Sequence, residues 1–302
     1  MYEQIASNRR KSVVLVLGAI VLLGAVGYAI GLLTQQGPAW LIFGLGLAVA
    51  LSAGSYFYGD RIVLASTRAR EVTPEQEPRL HNIVEGLAIA AGIPKPRVYV
   101  VPEEAPNAYA TGRDPEHSSI AVTQGLLDAM NRVELEGVVA HEMSHILDRD
   151  MLVGTIVATL VGAVVLMSEF FMRAMWWGGV GGRRGNDRGG GPVEAILFAV
   201  GFVLIILAPI FGQIVRLAMS RQREYLADAQ GAMLTRYPPG LAAALKKISA
   251  ASSIPMRSAN NATAHLWLNQ PSRVQGERMG SLERLFSTHP PIEDRIRRLE
   301  EM

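Results

Sequence analysis

The chain has 302 residues, of which 49% are hydrophobic and only 19% are charged, and its formal net charge is +2. A charge this close to neutral, with no long basic run beside aromatic residues, argues against a nucleic-acid partner. The chain contains no cysteine, which excludes disulfides, a thiolate nucleophile and cysteine metal ligands. The apolar excess is concentrated, since no charged residue occurs between Lys11 and Asp60.

Two apolar runs near the N-terminus predict a pair of transmembrane helices. The first goes from Val13 to Leu33 and the second from Trp40 to about Tyr58. Each supplies the roughly 20 residues that a helix needs to cross a bilayer. A cleaved signal peptide has a shorter apolar region and is not followed so closely by a second one. The sequence therefore predicts a membrane domain over residues 1–60, with the lipid bilayer as a partner, and a second domain over residues 61–302.

The orientation of this pair follows from its basic flanks. Basic residues lie before the first run and after the second, namely Arg9, Arg10, Lys11, Arg61, Arg68 and Arg70. The short loop between the runs carries no charge. The positive-inside rule therefore predicts that the N-terminus and everything after Asp60 lie in the cytoplasm.

Two further apolar runs, residues 151–172 and 195–215, are separated by a Gly- and Arg-rich stretch at 178–191. Their lengths favour two more membrane spans joined by a flexible linker. The alternative is a helical hairpin that packs on the second domain or enters one leaflet only.

The remaining segments predict helices around a small β-sheet. Thr73–Ala91 has a capping threonine and an apolar stripe at helical spacing. Arg97–Val101 and Ser119–Thr123 are rich in β-branched residues and are typical of strands. Asn131 is placed to cap a helix that runs from Arg132 to Asp148. The predicted fold is mainly α with a small sheet.

The segment His141-Glu142-Met143-Ser144-His145 is an HExxH motif within that last helix. Residues four apart lie on one helix face, so the imidazoles of His141 and His145 can reach one metal ion. Glu142 points to one side, where a carboxylate can take a proton from a water activated by zinc. The motif predicts a zinc site with Glu142 as the catalytic base.

A catalytic zinc needs a third protein ligand. Glu224 is a candidate, because its segment and the HExxH helix both adjoin long apolar runs. Asp228 lies one turn later on the same face, where it can accept a hydrogen bond from the outer nitrogen of a ligating histidine. Spacing alone leaves the alternative open that both are acids on a solvated helix end.

Four segments together resemble the HtpX family of membrane metallopeptidases, which is related to the CAAX prenyl proteases. They are the HExxH motif, Ser220–Ala232, Thr288–Pro291 followed by Arg295, and Asn107–Gly112. The resemblance covers nearly the whole chain with the motifs in the same order.

The resemblance implies a multi-span membrane protein with a zincin-like (gluzincin) catalytic domain over residues 61–302. It implies one Zn²⁺ per chain, with Glu224 as the third ligand. Asn107 and Ala108 match an edge strand that binds substrate backbone; the alternative is that Asn107 is an ordinary turn residue after Pro106. It further implies the cytoplasmic (inner) membrane of a prokaryote and hydrolysis of misfolded or damaged membrane proteins. The alternatives are a CAAX-type protease acting on prenylated peptides and a non-catalytic, zinc-stabilised membrane scaffold; the presence of Glu142 argues against the scaffold.

The other candidate residues keep two interpretations each. His289 is either an oxyanion donor or a structural histidine beside two prolines. Arg295 either pairs with an acid near the site or covers the last helix. Three histidines have no partner at ligand spacing and are expected to be structural or exposed: His81, His117 and His265.

Overall fold

The computed structural model describes residues 2–34, 38–160, 162–163, 221–258, 263–269 and 290–302. This part of the chain is mostly helical with a small sheet, which confirms the predicted fold class at that level. Its helices are α1 Tyr2–Thr34, α2 Ala39–Ser66, α3 Pro78–Ala91, α4 Gln124–Ala129, α5 Arg132–Leu147, α6 Asp150–Leu160, α7 Arg221–Thr235, α8 Pro238–Ala250 and α9 Ile292–Glu300.

The sheet has four strands in the order β1-β2-β4-β3. They are β1 Arg70–Glu71, β2 Arg97–Val101, β3 Ala108–Gly112 and β4 Ser118–Thr123. β2 and β4 are parallel, whereas β1 pairs with β2 and β3 pairs with β4 in antiparallel fashion. β3 therefore lies at one edge of the sheet.

The two faces of the sheet pack against different layers. Alternate side chains such as Ala108, Ile120 and Val122 enter the main core with α3, α5 and α8. Their neighbours Tyr109 and Ala121 enter a second cluster with the end of α2 and with α6. Both faces are buried because side chains alternate along a strand, and the main core fixes β3 against α5.

α1 and α2 form a hairpin whose small residues lie inside. Gly44, Ala48, Ser52, Ser55 and Gly59 form the buried face of α2. Large apolar residues of the same helix face outward instead, and Ile42 is 68% exposed. Small residues between helices with large apolar ones outside are typical of packing in a membrane. The two candidate spans are Ile5–Tyr28 and Ala39–Ser66.

The hairpin is tied to the sheet at the C-terminal end of α2. Asp60 forms an ion pair with Arg97 of β2 at 2.6 Å. The hydroxyl groups of Thr67 and Tyr109 lie 2.6 Å apart. On the same side α6 is buried in the protein, and the hydroxyl of Thr155 lies 2.9 Å from that of Thr111 in β3.

Several predicted boundaries are confirmed. β2 spans Arg97–Val101 as predicted, and Asn131 caps α5 in a reciprocal capping box with Glu134. The predicted start of α3 at Thr73 is wrong, because the helix begins at Pro78. A residue before proline is disfavoured in the helical region, so the chain makes a separate turn first.

Only the first part of the third apolar run, as α6 and residues 162–163, belongs to the described residues. The fourth run at 195–215, the stretch at 178–191 and His289 lie outside them.

Gly137 tests the close approach of α5 and α8. A Cβ atom there would lie 2.7 Å from the backbone nitrogen of Leu241. We expect Gly137→Ala to destabilise the protein by about 1–3 kcal/mol, the usual range for overpacking, in urea unfolding in detergent.

Gly86→Ala is the matched control, since a Cβ there meets nothing within 4 Å. It should stabilise α3 by about 0.5–1 kcal/mol. Equal effects of the two substitutions would contradict the proposed contact.

Candidate metal centre

His141 and His145 project from one face of α5 into the protein interior. Their Nε2 atoms lie 3.2 Å apart, and the ring planes are inclined by 85°. The helix positions them as the i, i+4 spacing predicts. His141 is fully buried.

Each imidazole has a carboxylate at its outer nitrogen. His141 Nδ1 lies 2.9 Å from Asp228 Oδ1, and His145 Nδ1 lies 3.4 Å from Asp150 Oδ2. A carboxylate accepts a proton from the ring nitrogen that faces it, which leaves Nε2 as the atom with a free lone pair. Two such lone pairs directed at one point repel each other unless a proton or a metal ion lies between them.

α7 supplies the third group. Glu224 Oε2 lies 3.8 Å from His141 Nε2, and Glu224 Oε1 lies 3.8 Å from His145 Nε2. The close approach of α7 to α5 depends on Gly231, where a Cβ would lie 3.0 Å from the backbone nitrogen of His141. The ligand atoms of His141, His145 and Glu224 all lie within 4.8 Å of one another, so the three residues can hold a metal ion.

Arg295 reaches this centre from α9. It is 1% exposed and donates from Nε and Nη2 to the two oxygens of Asp228, at 2.8 and 2.7 Å. Its Nη1 lies 3.5 Å from Glu224 Oε2. Of the two interpretations of Arg295, the structure therefore supports pairing with an acid near the site. Asp228 accepts a hydrogen bond from His141 Nδ1, as the sequence predicts.

The electrostatics of the centre follow from burial and close charges. Burial raises the pKa of Glu142 to about 7, and the charge of Glu224 adds to this while His145 opposes it. Burial would lower the pKa of His145, but Asp150 and Glu224 outweigh it and raise the value to about 9. Burial would raise the pKa of Asp228, yet Arg295 holds it at about 2.

A small cavity of about 50 Å³ lies in front of the two histidines. Glu142, Ala110 of β3 and the chain at 265–268 also line it. A water molecule needs roughly 10–15 Å³ of such a volume, so the cavity has room for a few waters.

The structure brings together the four predicted site residues, His141, Glu142, His145 and Glu224. The sequence patterns did not indicate Asp150 as a site residue, because it lies beyond the regular spacing of α5. α5 ends at Leu147, and Arg149 has a positive φ of 57°, which turns Asp150 back towards His145. The one sequence feature that points to Asp150 is its position as an acid five residues after His145.

The remaining described histidines are structural or exposed, as expected. His81 is buried with Nε2 2.8 Å from the Val72 carbonyl oxygen, and His117 is exposed beside Asp114. His265 is buried with Nε2 3.1 Å from the Gly154 carbonyl oxygen, and no sequence pattern indicates that it lines the cavity.

Comparisons with known proteins identify the family of the chain. The profile of peptidase family M48 matches residues 74–302. A Protease HtpX homolog of Caldanaerobacter subterraneus is 47% identical over 100% of this chain and 98% of its own length. One from Dictyoglomus thermophilum is 44% identical over 100% of this chain and 94% of its length. Ste24p of S. mikatae, in a crystal structure, has the same fold, with a TM-score of 0.53 and 18% identity over 99% of this chain and 67% of that one.

The fold and its buried cluster of histidines and acids define a membrane metalloprotease, a hydrolase that acts on protein substrates. The chain belongs to peptidase family M48 and, within that family, to the HtpX group.

The raised pKa of His145 predicts that metal binding releases a proton. Near pH 7 the metal-free imidazole, with a pKa of about 9, is protonated, and a metal ligand must be neutral. His141 contributes no proton, because burial and Arg295 lower its pKa. We expect release of about one proton at pH 7 and close to none at about pH 10.

Calorimetry of Zn²⁺ binding in two buffers of different ionisation enthalpy measures this release. The Glu142→Gln background removes any contribution of Glu142. Equal release at both pH values would contradict the assignment to His145.

Proposed function

We propose that the chain is a zinc endopeptidase in which His141, His145 and Glu224 hold the metal and Glu142 is the general base. The donor geometry carries this proposal. A tetrahedral zinc with bonds of roughly 2.0–2.1 Å requires donor atoms roughly 3.3–3.4 Å apart. The two Nε2 atoms lie 3.2 Å apart, and each has a different oxygen of Glu224 at 3.8 Å. With one donor atom from each residue, all three lie within 4.8 Å of one another, so a small shift of the side chains brings them to that spacing. Two imidazoles and one carboxylate form a ligand set found in catalytic zinc sites.

Zinc held there would act as a Lewis acid that polarises the scissile carbonyl and acidifies water. Glu142 takes the proton of the attacking water and delivers it to the leaving amine. A base is most effective when its pKa lies near the working pH, and burial places that of Glu142 at about 7. The backbone of Ala110 hydrogen-bonds to the Glu142 carboxylate and orients it towards the cavity.

The active site would face the cytoplasm of a prokaryotic cell, from its inner membrane. Asn8, near the start of α1, donates to the backbone oxygen of Asp148 at 2.8 Å, next to the site. The end of α2 is bound to the sheet at Asp60. Both basic flanks of the hairpin therefore lie on the side of the active site, and the positive-inside rule assigns that side to the cytoplasm.

The proposed organisation keeps residues 1–60 as a membrane hairpin and residues 61–302 as a gluzincin-type catalytic domain. The runs at 151–172 and 195–215 would add two spans and make the protein multi-pass. α6 forms the first part of the run at 151–172 and begins beside the site.

The substrates would be misfolded or damaged membrane proteins. The position of the site beside the membrane hairpin supports this proposal. So does the edge strand β3, since an edge strand binds extended backbone rather than a particular sequence. Quality control is thus proposed as the cellular role.

Glu142→Gln tests the base. It should lower casein cleavage by detergent-purified protein by at least about 10²-fold, within the range for general-base catalysis, while zinc content is unchanged. Glu136→Gln, on the same helix but away from the cavity, is the control. Normal turnover of Glu142→Gln would exclude it as the base. A farnesylated peptide assayed beside casein separates the CAAX-type alternative.

Glu224→Gln tests the third ligand. The amide loses the charge that pairs with a cation, so zinc should be lost on dialysis against a chelator concentration that leaves the wild-type protein loaded. Zinc content by atomic absorption is the measurement, again beside Glu136→Gln. Full zinc retention would mean that the third ligand is a different residue.

A further inference from the structure

The outer edge of β3 presents its main-chain groups to the active site. Asn107 O accepts a hydrogen bond from Thr123 N of β4 at 2.9 Å. In antiparallel pairing such bonds occur at alternate residues, so Tyr109 and Thr111 also face β4. Ala108 and Ala110 therefore direct their N–H and C=O groups to the opposite side. There Ala108 N donates to Asn107 Oδ1 at 3.1 Å and the Ala110 N–H donates to the Glu142 carboxylate, so the carbonyl oxygens are the groups that an added chain can bind.

A segment of the chain itself already occupies this edge. We call residues 266–269 (Leu-Trp-Leu-Asn) the edge segment. Leu268 N donates to Ala108 O at 2.9 Å. The Asn107 side chain binds the next residue in both directions, since Nδ2 donates to Asn269 O at 2.7 Å and Oδ1 accepts from Asn269 N at 3.1 Å. Arg295 Nη1 donates to Leu268 O at 3.3 Å.

All four main-chain polar groups of Leu268 and Asn269 are thus hydrogen-bonded to β3, Asn107 or Arg295. None of these bonds depends on the identity of the bound side chains. This is the pattern by which a sheet edge binds an extended peptide of any sequence.

The edge segment also lines the active-site cavity. Leu266, Trp267 and Leu268 line it together with His141 and Glu142. The segment already takes the hydrogen bonds of Ala108 O and of the Asn107 side chain. A substrate backbone therefore cannot bind these groups while the edge segment occupies them.

We propose that the edge segment is a built-in competitor of the substrate, which has to leave the edge of β3 before a substrate main chain can bind there. This inference rests on the proposed peptidase function and adds to it a displacement step before each cleavage.

Trp267 holds the edge segment in place, yet the hydrogen bonding of its side chain is incomplete. The side chain is fully buried and contacts Tyr109 edge to face, with ring centroids 4.8 Å apart. Its indole N–H has no hydrogen-bond partner among the described residues. A buried donor without a partner is costly, and release of the segment returns this group to water.

Trp267 can report its own displacement. The chain has four tryptophans, so replacing the other three, Trp40, Trp176 and Trp177, by Phe leaves one emitter. The probe is a dye-labelled peptide with the sequence of residues 263–269 and Phe in place of Trp. It is added to metal-free Glu142→Gln protein, and binding is followed by anisotropy.

We expect binding to shift the Trp267 emission to the red and to raise its acrylamide quenching at least two-fold. Peptide binding without a change in emission would overturn the proposal. Because the protein is metal-free and carries no base, this result is independent of whether the chain is a peptidase.

A covalent lock tests the same step in the opposite direction. The chain has no cysteine, and a Cβ on Gly154 would lie 2.9 Å from Leu266 Cδ2. We therefore choose the pair Gly154→Cys and Leu266→Cys as the cross-link between α6 and the edge segment, with formation of the disulfide checked by mass spectrometry. The same protein after reduction is its own control, and each single cysteine variant controls for the substitution.

Oxidation should weaken peptide binding to the metal-free protein, and casein cleavage by the zinc-loaded protein, at least ten-fold. Reduction by a phosphine, which unlike a dithiol does not strip zinc, should restore both. Equal peptide affinity of the oxidised and reduced forms would refute the competitor. Restored binding without casein cleavage in either form would refute the peptidase function alone.

Discussion

Arg295 lies where α5, α7 and α9 meet, and its guanidinium donates two hydrogen bonds to Asp228. Asp228 in turn accepts the Nδ1 proton of His141, so one carboxylate links the last helix of the chain to the first histidine of HExxH. A buried ion pair holds only while both partners are present, and the loss of one costs about 3–5 kcal/mol. The orientation of His141, the charge beside Glu224 and the docking of α9 therefore depend on one interaction.

His145 is held from the other side of the site. Its partner Asp150 is also bonded by the Asn8 side chain from α1 and lies 3.2 Å from Arg223. One histidine is thus oriented by the C-terminal helix and the other by the N-terminal membrane helix. The candidate metal centre therefore has contacts with α1 on one side and with α9 on the other.

The parts of the site that sequence could predict are those set by near neighbours. The capping box and the HExxH spacing of α5 depend on residues a few positions apart, and both predictions agree with the structure. α3 begins later than the sequence predicts, because Pro78 disfavours the helical conformation at the residue before it. Asp150 was missed because one positive φ, at Arg149, reverses the chain. The partner of Arg295 could not be chosen, since Asp228 lies 67 residues away in the chain.

The edge segment gives a physical reason why a site that binds any backbone need not attack every protein. Main-chain hydrogen bonds give affinity without a sequence preference, so on this proposal the competition for the edge of β3 is one source of selectivity. The competitor is tethered, and its effective concentration is therefore high. A substrate must offer at least two consecutive residues whose N–H and C=O groups are free, as Leu268 and Asn269 do. Folded proteins bond nearly all of these groups internally, whereas unfolded chains leave them free. On this proposal, the edge segment makes the groove favour substrate segments that have lost their internal backbone hydrogen bonds.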